Sequence, residues 1–395
     1  MRDFLLSDDL SGGLEVGASF RRRGHPVAVP LGTNQQPPSG LTVFTTETRN
    51  LPPDVAYDVV SRLLRDQLAA GGRLLLKKID STLRGPIGAE LRAINDTLRP
   101  LRMILCPTNP AAGRTVRDGT LLVDGIPLGE TPFRDDPIWP ARESRIVPLL
   151  GDCGLECDHL SLDILRRGDA QQVLTSNPGQ ARLIVCDAET PSDIDLIVAT
   201  TRATAPDTVL IGSNGLAVSL ADYLPAPESP RDSPAISVDT LLILCGTRHP
   251  STHRQVEQLA ASGHAAVVTV KTGGLTPATA VAKIREAYTH KRIAALRFDP
   301  SEHLRSSTVQ SFIAQIAAIL APSRVPGAYF FTGGESAWNA CKTLGGRQLL
   351  VRGPWENAVV EAELELLEFK IPVFTKPGGY GDPDLLVRFA KSVMK

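Results

Sequence analysis

The sequence predicts an α/β protein of two domains, each a mainly parallel sheet flanked by helices. Short apolar runs alternate with amphipathic stretches along the whole chain, which is the pattern of βαβ units laid on a parallel sheet. A length of 395 residues exceeds what one hydrophobic core usually serves, and an apolar content of 42% suffices for two. The stretch Pro225 to Pro234 holds four prolines in ten residues without an apolar period, so it breaks the alternation. These observations set the expected boundaries at residues 1–224, a linker at 225–235, and residues 236–395.

In the first part the candidate strands are Phe4 to Leu6, Val27 to Val29, Leu41 to Phe44, Leu74 to Lys77, Met103 to Cys106, Leu183 to Cys186 and Val209 to Ile211. One helix is well marked: Pro86 stands at a plausible first helical position, and Ile87, Leu91, Ile94 and Leu98 follow at helical spacing. After the break, strands are expected at Leu241 to Cys245, Ala266 to Val270, Ile293 to Phe298, Tyr329 to Phe331 and Leu349 to Val351, with helices near 251–261, 276–290, 308–320 and 336–344.

Composition excludes several classes of function. A formal charge of −1 gives no global field for nucleic acid or an anionic membrane, so any anion must be held by a local site. The longest apolar runs fall well short of the roughly 20 residues that span a bilayer, and Met1 begins no signal-peptide pattern, so a cytoplasmic location is expected. The six cysteines are scattered and read as reduced. Cys153, Cys157 and His159 lack a convincing fourth ligand for zinc, and no metal site is expected. The Gly-x-x-x-x-Gly-Lys-Ser/Thr, Gly-x-Gly-x-x-Gly, Gly-x-Ser-x-Gly and His-Glu-x-x-His signatures are missing.

The densest polar cluster, Lys77-Lys78-Ile79-Asp80-Ser81-Thr82-Leu83-Arg84-Gly85, lies between a strand and the well-marked helix. In open α/β sheets ligands bind at the carboxyl ends of strands, where a helix N-terminus favours an anion. A carboxylate substrate fits there: Arg84 can grip it with two hydrogen bonds, Lys78 can add charge, and Asp80 with Ser81 can hold hydroxyls or take a proton. The plain alternative is a solvated turn with an ordinary capping residue. Matching polar turns follow other strands, at Ser7 to Gly13 with Asp8 and Asp9, at Thr45 to Asn50 with Arg49, and at Pro107 to Arg114. Adjacent strands would gather them into one polyol-binding crevice. In the second part, glycine-bearing turns follow strands at Cys245 to His249, at Thr332 to Ser336 and at Lys376 to Gly381. Such turns let the backbone approach a nucleotide and offer N–H groups to phosphates.

Taken in order, these motifs resemble those of the four-carbon acid sugar kinase family over nearly the whole chain. The resemblance rests on Lys77 to Gly85 followed by Gly88-Ala89-Glu90, and on Ser7-Asp8-Asp9-Leu10-Ser11-Gly12. It extends through Gly113-Arg114 with Asp118-Gly119, Asp187-Ala188-Glu189, Gly212 to Ala217, Thr332-Gly333-Gly334-Glu335 and the Lys376 to Gly381 turn. It implies phosphoryl transfer from ATP, with Mg²⁺ carried on the nucleotide, to the 4-hydroxyl of a sugar acid such as threonate, erythronate or a 3-oxo relative. It further implies an N-terminal sugar-acid domain, with Asp8, Asp9, Arg49, Lys78, Asp80, Ser81 and Arg84 lining its site. The C-terminal domain would bind ATP through Gly246, Thr247, His249, Gly333, Gly334, Glu335, Ser336, Gly379 and Gly381. The sequence departs from the family pattern where Gly246-Thr247-Arg248-His249 replaces Gly-Ser-x-Ser, which exchanges a hydroxyl for the His249 imidazole. It departs again at Pro377, which removes a backbone donor.

Phosphoryl transfer asks mainly for positioning and charge neutralisation. The expected catalytic residues are therefore Asp80 or Asp9 as the base and Arg84 as the carboxylate clamp. A non-catalytic sugar-acid sensor with a degenerate ATP site is the alternative from another class, and a dehydrogenase or lyase on the same acids is a second enzymatic rival. Expected partners are the sugar acid and ATP, with no nucleic acid and no membrane, and homo-oligomerisation is left open.

Overall fold

The structure is a computed structural model that describes residues 2–32, 40–100, 102–151, 153–176, 182–227, 236–247, 249–271, 273–302, 304–323, 325–356 and 359–394. Arg248 and most of the expected 225–235 linker lie outside the described residues. The chain opens with β1 (Arg2–Ser7), α1 (Leu10–Arg22), β2 (Val27–Pro30), β3 (Leu41–Thr45), α2 (Pro53–Ala69), β4 (Gly72–Lys78), α3 (Ile87–Leu98) and β5 (Arg102–Cys106). It continues through β6 (Arg114–Arg117), β7 (Thr120–Val123), β8 (Ile126–Pro127), α4 (Ile146–Leu150), β9 (Glu156–Leu160), α5 (Leu162–Arg166), α6 (Ala170–Thr175), β10 (Arg182–Cys186), α7 (Pro191–Thr204), β11 (Val209–Gly212) and α8 (Asn214–Tyr223). The second half holds β12 (Leu241–Cys245), α9 (Pro250–Ala261), β13 (Ala265–Val270), α10 (Pro277–Ala287), β14 (Ile293–Phe298), α11 (Ser306–Leu320), β15 (Ala328–Thr332), α12 (Gly334–Thr343), β16 (Gln348–Glu356), β17 (Val359–Glu365), β18 (Lys370–Lys376) and α13 (Leu385–Val393).

Two compact units result: Met1–His25 with Ser39–Pro230, and Pro26–Pro38 with Arg231–Lys395. In the first unit seven strands run parallel in the order β3-β1-β4-β11-β5-β10-β9. Strands such as Met103 to Cys106 are buried at every position because helices cover both faces, so their sequences read as apolar runs without alternation. Phe4 and Leu6 of β1 join Phe44, Val60, Leu64, Leu91 and Ile94 in one core, which seats α2 and α3 against the sheet. Each such buried side chain contributes about 1.5–3 kcal/mol. Pro86 is the N-cap of α3 rather than its first helical residue, with ψ 51° and no side-chain cap. The sequence pattern sets it one position further in, where its fixed φ and missing N–H are equally tolerated.

A small antiparallel sheet, β6-β7-β8, was not expected. Its turns are Asp118-Gly119 and Asp124-Gly125, with φ of 50°, 68°, 51° and 81°. Two-residue hairpins with both central φ positive favour Asp-Gly, so the signal was present in the sequence. The Asp187 carboxylate fastens the first turn, accepting from Asp118 N and Gly119 N at 2.9 Å each.

The second unit orders its strands β13-β14-β12-β15-β18-β17-β16-β2. The first five run parallel and the remainder antiparallel. Here one expectation is corrected: Val27 to Val29 is a strand, but it lies in this sheet, pairing β2 with β16 through Val29 opposite Leu349 and Val27 opposite Val351. Apolar pattern identifies a strand without saying which sheet takes it, and β16 offered an open edge. Val238, Ile243, Phe330, Phe374, Leu386 and Phe389 form the core of this unit, with the Phe389 ring edge-on to Phe330 and Phe374 at 4.7 Å.

Candidate functional site

Strand register levels the polar turns of the first unit. Ser7, the last residue of β1, is paired with Thr45 at the end of β3 and Lys78 at the end of β4, so three turns begin side by side. Asp9 is the N-cap of α1, where its Oδ1 accepts from Gly12 N at 2.9 Å. An acid is favoured at that helix end by the unpaired amides and the dipole.

Arg49 ties the turns together. Its Nε donates to Asp8 Oδ2 at 2.7 Å, and its Nη2 donates to Asp8 Oδ1 at 2.9 Å and to Asp9 Oδ1 at 2.7 Å. Its Nη1 lies 3.9 Å from Asp80 Oδ1. Arg84 takes the same carboxylate in a fork, Nε to Asp80 Oδ2 at 2.8 Å and Nη2 to Oδ1 at 3.1 Å. The outer edge of the Arg84 guanidinium is only loosely engaged, with Nη1 3.7 Å from Asp136 Oδ2. Lys78 is buried, its Nζ donating to Ile79 O at 2.9 Å, and it reaches the first turn of α1: a Cβ on Gly12 would stand 2.9 Å from that nitrogen. Asp8, Asp9, Arg49, Asp80 and Arg84 thus form one ion-pair network with Lys78 beside it. Ser81 stands half-buried on its turn and joins none of the described bonds.

Burial would raise the Asp80 carboxyl, but the charges of Arg84 and Arg49 and hydrogen bonds from Arg84 and Thr82 hold it well below its ordinary 3.8. Asp8 is lowered in the same way by Arg49 and Lys77 acting against burial. Glu47, on the same turn as Arg49, behaves oppositely: burial, then the negative charge of Asp9, pushes its carboxyl well above 4.5. Its φ is 52°, a strained value for a glutamate, and its Oε1 is buried without a hydrogen-bond partner. Beneath the edge, Lys77 Nζ pairs with Glu90 Oε2 at 3.0 Å, both side chains fully enclosed, and Thr48 Oγ1 donates to Glu90 Oε1. Glu47, Asp136 and the Lys77–Glu90 pair were not singled out from the sequence. Two adjacent lysines at a strand end did carry a signal, because alternation sends them to opposite faces of a sheet that helices cover on both sides, and both are buried.

The second unit repeats the device. Cys245, Thr332 and Lys376 end β12, β15 and β18 in register, so the three glycine turns start level. They pack closely on one another. A Cβ on Gly246 would lie 1.8 Å from Ser336 Oγ, one on Gly378 would lie 2.3 Å from Thr247 Oγ1, and one on Gly379 would lie 3.2 Å from His249 Nε2. Gly333 caps α12 at φ 101°, and Gly334 begins that helix. Gly381 has φ 88°. His249 caps α9, its Nδ1 accepting from Ser251 N at 3.2 Å, and Thr247 Oγ1 accepts from His249 N at 3.2 Å. Glu335 turns toward α11, accepting from Ser306 Oγ at 3.1 Å and from Gln310 Nε2. Thr252 and Gln255 were not singled out from the sequence, and Lys376 entered it only as the first residue of its turn. Lys376 is completely enclosed, and burial lowers its ammonium to about 8.

Two domain families match the chain. A family described as a sugar-binding N-terminal domain matches residues 4–220, and one described as a nucleotide-binding C-terminal domain matches residues 242–386. The chain is 27% identical to a D-threonate kinase of Salmonella typhimurium, covering 98% of this chain and 97% of that one. A D-threonate kinase of Bordetella bronchiseptica is 27% identical over 98% and 96%, and a D-erythronate kinase of Heliobacterium modesticaldum is 28% identical over 59% and 56%. Among solved structures, a Salmonella typhimurium LT2 protein superposes with a TM-score of 0.81 at 20% identity, covering 98% of both chains. A Haemophilus influenzae protein superposes at 0.73 with 17% identity, covering 98% and 99%. At these identities the two structures speak for the fold.

Proposed function

The chain belongs to the four-carbon acid sugar kinase family and is a sugar-acid kinase, and from that premise we propose that it phosphorylates the 4-hydroxyl of a tetronate such as D-threonate with ATP. The observation that carries this reading is Arg84. Its side chain is a third exposed and fixed by the Asp80 fork, keeps one edge loosely engaged toward Asp136, and joins the network of Asp8, Asp9 and Arg49 through Asp80. A substrate carboxylate would displace the 3.7 Å contact to Asp136 and take two charge-assisted hydrogen bonds from that edge.

Asp80 then acts as the anchor of Arg84, since a carboxyl held so far below its ordinary value is a poor proton acceptor. Asp9 commits Oδ1 to Gly12 N and Arg49, which leaves Oδ2 to take the proton of the 4-hydroxyl. The new bond joins that oxygen to the γ-phosphorus as the bond to the β,γ-bridging oxygen breaks, and ADP leaves. Backbone amides of the turns after β12, β15 and β18 would hold the phosphates. ATP would enter as its magnesium complex, the ion neutralising phosphate charge. Among the described residues no group of three or more His, Cys, Asp or Glu is arranged as a metal site, so no residue is assigned to the ion. No helix among the described residues is long and apolar enough to cross a membrane.

The test is purified protein with Mg-ATP and a panel of D- and L-threonate, D- and L-erythronate and 3-oxo-tetronate. ADP release is followed, and the product is identified as a 4-phosphate by ³¹P NMR. A tetronate that binds without ADP formation would favour a sensor.

A further inference from the structure

Lys376 would ordinarily be read as a phosphate ligand, since it ends a strand at a glycine turn. The surroundings of its ammonium give it another role. The side chain is fully enclosed, and Nζ lies 2.9 Å from Tyr380 O, 3.0 Å from Pro377 O, 3.3 Å from Gly378 O and 3.2 Å from Thr252 Oγ1. An ammonium has three donors, and these four oxygens consume them. Gln255, also fully buried, extends the arrangement: its Nε2 lies 3.0 Å from the carbonyls of Tyr380, Gly381 and Asp382. Thr252 Oγ1 donates to Gly378 O at 2.8 Å.

Five carbonyls of the 377–382 loop therefore point inward at two side-chain donors. Among the described residues, the N–H groups of Gly378, Gly379 and Gly381 take no acceptor. Gly378 and Gly379 also lie against Thr247 and His249, so these amides sit beside the turn after β12. A loop whose carbonyls are drawn in presents its amides outward, and clustered outward amides form an anion-binding nest. We propose that Lys376, together with Gln255, is a positioning residue that turns the 377–382 loop carbonyl-inward so that its amides hold the phosphates of ATP. This rests on the kinase reading and adds how the nucleotide turn is shaped.

The cluster offers a pH readout. Cys245 on β12 faces Lys376 with its thiol pushed up to about 11 by burial, and His249 at the head of α9 is lowered below 6.5 by burial and by Lys376 itself. The Asp382 carboxylate is held low by Arg388. Lys376 is thus the group of this cluster that titrates near 8. Above that pH the ammonium loses a donor and its charge, the carbonyls are released, and the nest opens.

The experiment uses the full chain. ATP and D-threonate are titrated separately by calorimetry from pH 6.5 to 9.5 on wild type, Lys376→Met and Gln255→Leu, each checked for a cooperative melt. ATP affinity of the wild type should fall as pH rises through about 8, and both variants should bind ATP at least tenfold more weakly with that pH step reduced. D-threonate affinity should stay within twofold, and kcat at saturating ATP within threefold. Unchanged ATP affinity in Gln255→Leu beside a loss in Lys376→Met would make Lys376 a direct phosphate ligand and overturn the inference alone. Should Lys376→Met not fold, Gln255→Leu decides. A wild type that binds no ATP would defeat the kinase reading itself.

Discussion

Asp80 and Asp9 stand close together on one edge, yet their bonds assign them different work, and kinetics can separate them. If Asp80 only fixes Arg84, Asp80→Asn should raise KM for the sugar acid about tenfold or more with kcat largely kept, because a loosened Arg84 forfeits roughly 1.5–3 kcal/mol of charged hydrogen bonding. Asp9→Asn should instead lower kcat by about 10²-fold, the usual scale for losing a general base. The reverse pattern would return the base to Asp80. Glu47 gives a stability prediction. Its folded-state value is raised, so as pH climbs past 4.5 the unfolded chain loses its proton first and stability falls through that window. Glu47→Gln should therefore melt higher than wild type at pH 7, with the difference gone near pH 4, in thermal scans at both pH values. Equal melting temperatures at pH 7 would show that the buried carboxyl costs nothing.

At the scale of elements, the turns of each unit start level because parallel strands end in register, and the sequence displayed this only as polar or glycine-rich residues after apolar runs. Strands buried on both faces were legible for that reason, as were the ion-pairing residues Asp8, Asp9, Arg49, Asp80 and Arg84. Strands β17 and β18 were missed, for Val359–Glu365 alternates with glutamates and Lys370–Lys376 carries a proline. Gln255 and Thr252 were missed because nothing in a helical pattern says that a polar side chain serves a loop 126 residues away. Packing between turns is equally invisible in sequence, and it makes a sharp prediction. Gly246→Ala would drive its Cβ into Ser336 Oγ at 1.8 Å and Ser336 Cβ at 2.5 Å. ATP affinity should fall, and Ser336→Gly in the same chain should recover part of it, with coupling above about 0.5 kcal/mol. Additive losses in a double-mutant cycle would show that the two turns do not compete for that space.

On the scale of the whole molecule, the second unit is not made from the second half of the chain alone. Its sheet is completed by β2, whose four residues are all buried and whose Val27 and Val29 pair with Val351 and Leu349 of β16. A fragment of residues 236–395 would therefore keep the core around Phe330, Phe374 and Phe389 while leaving β16 as an unpaired edge. Exposed apolar edges recruit other chains. The fragment should consequently elute as soluble aggregates or dimers in size-exclusion chromatography and melt without cooperativity. A synthetic peptide of residues 24–40 added in excess should restore a monomer with a cooperative melt and ATP binding, since it supplies the missing ladder. A fragment that is monomeric, melts sharply and binds ATP without the peptide would show that β2 merely leans on a sheet complete without it.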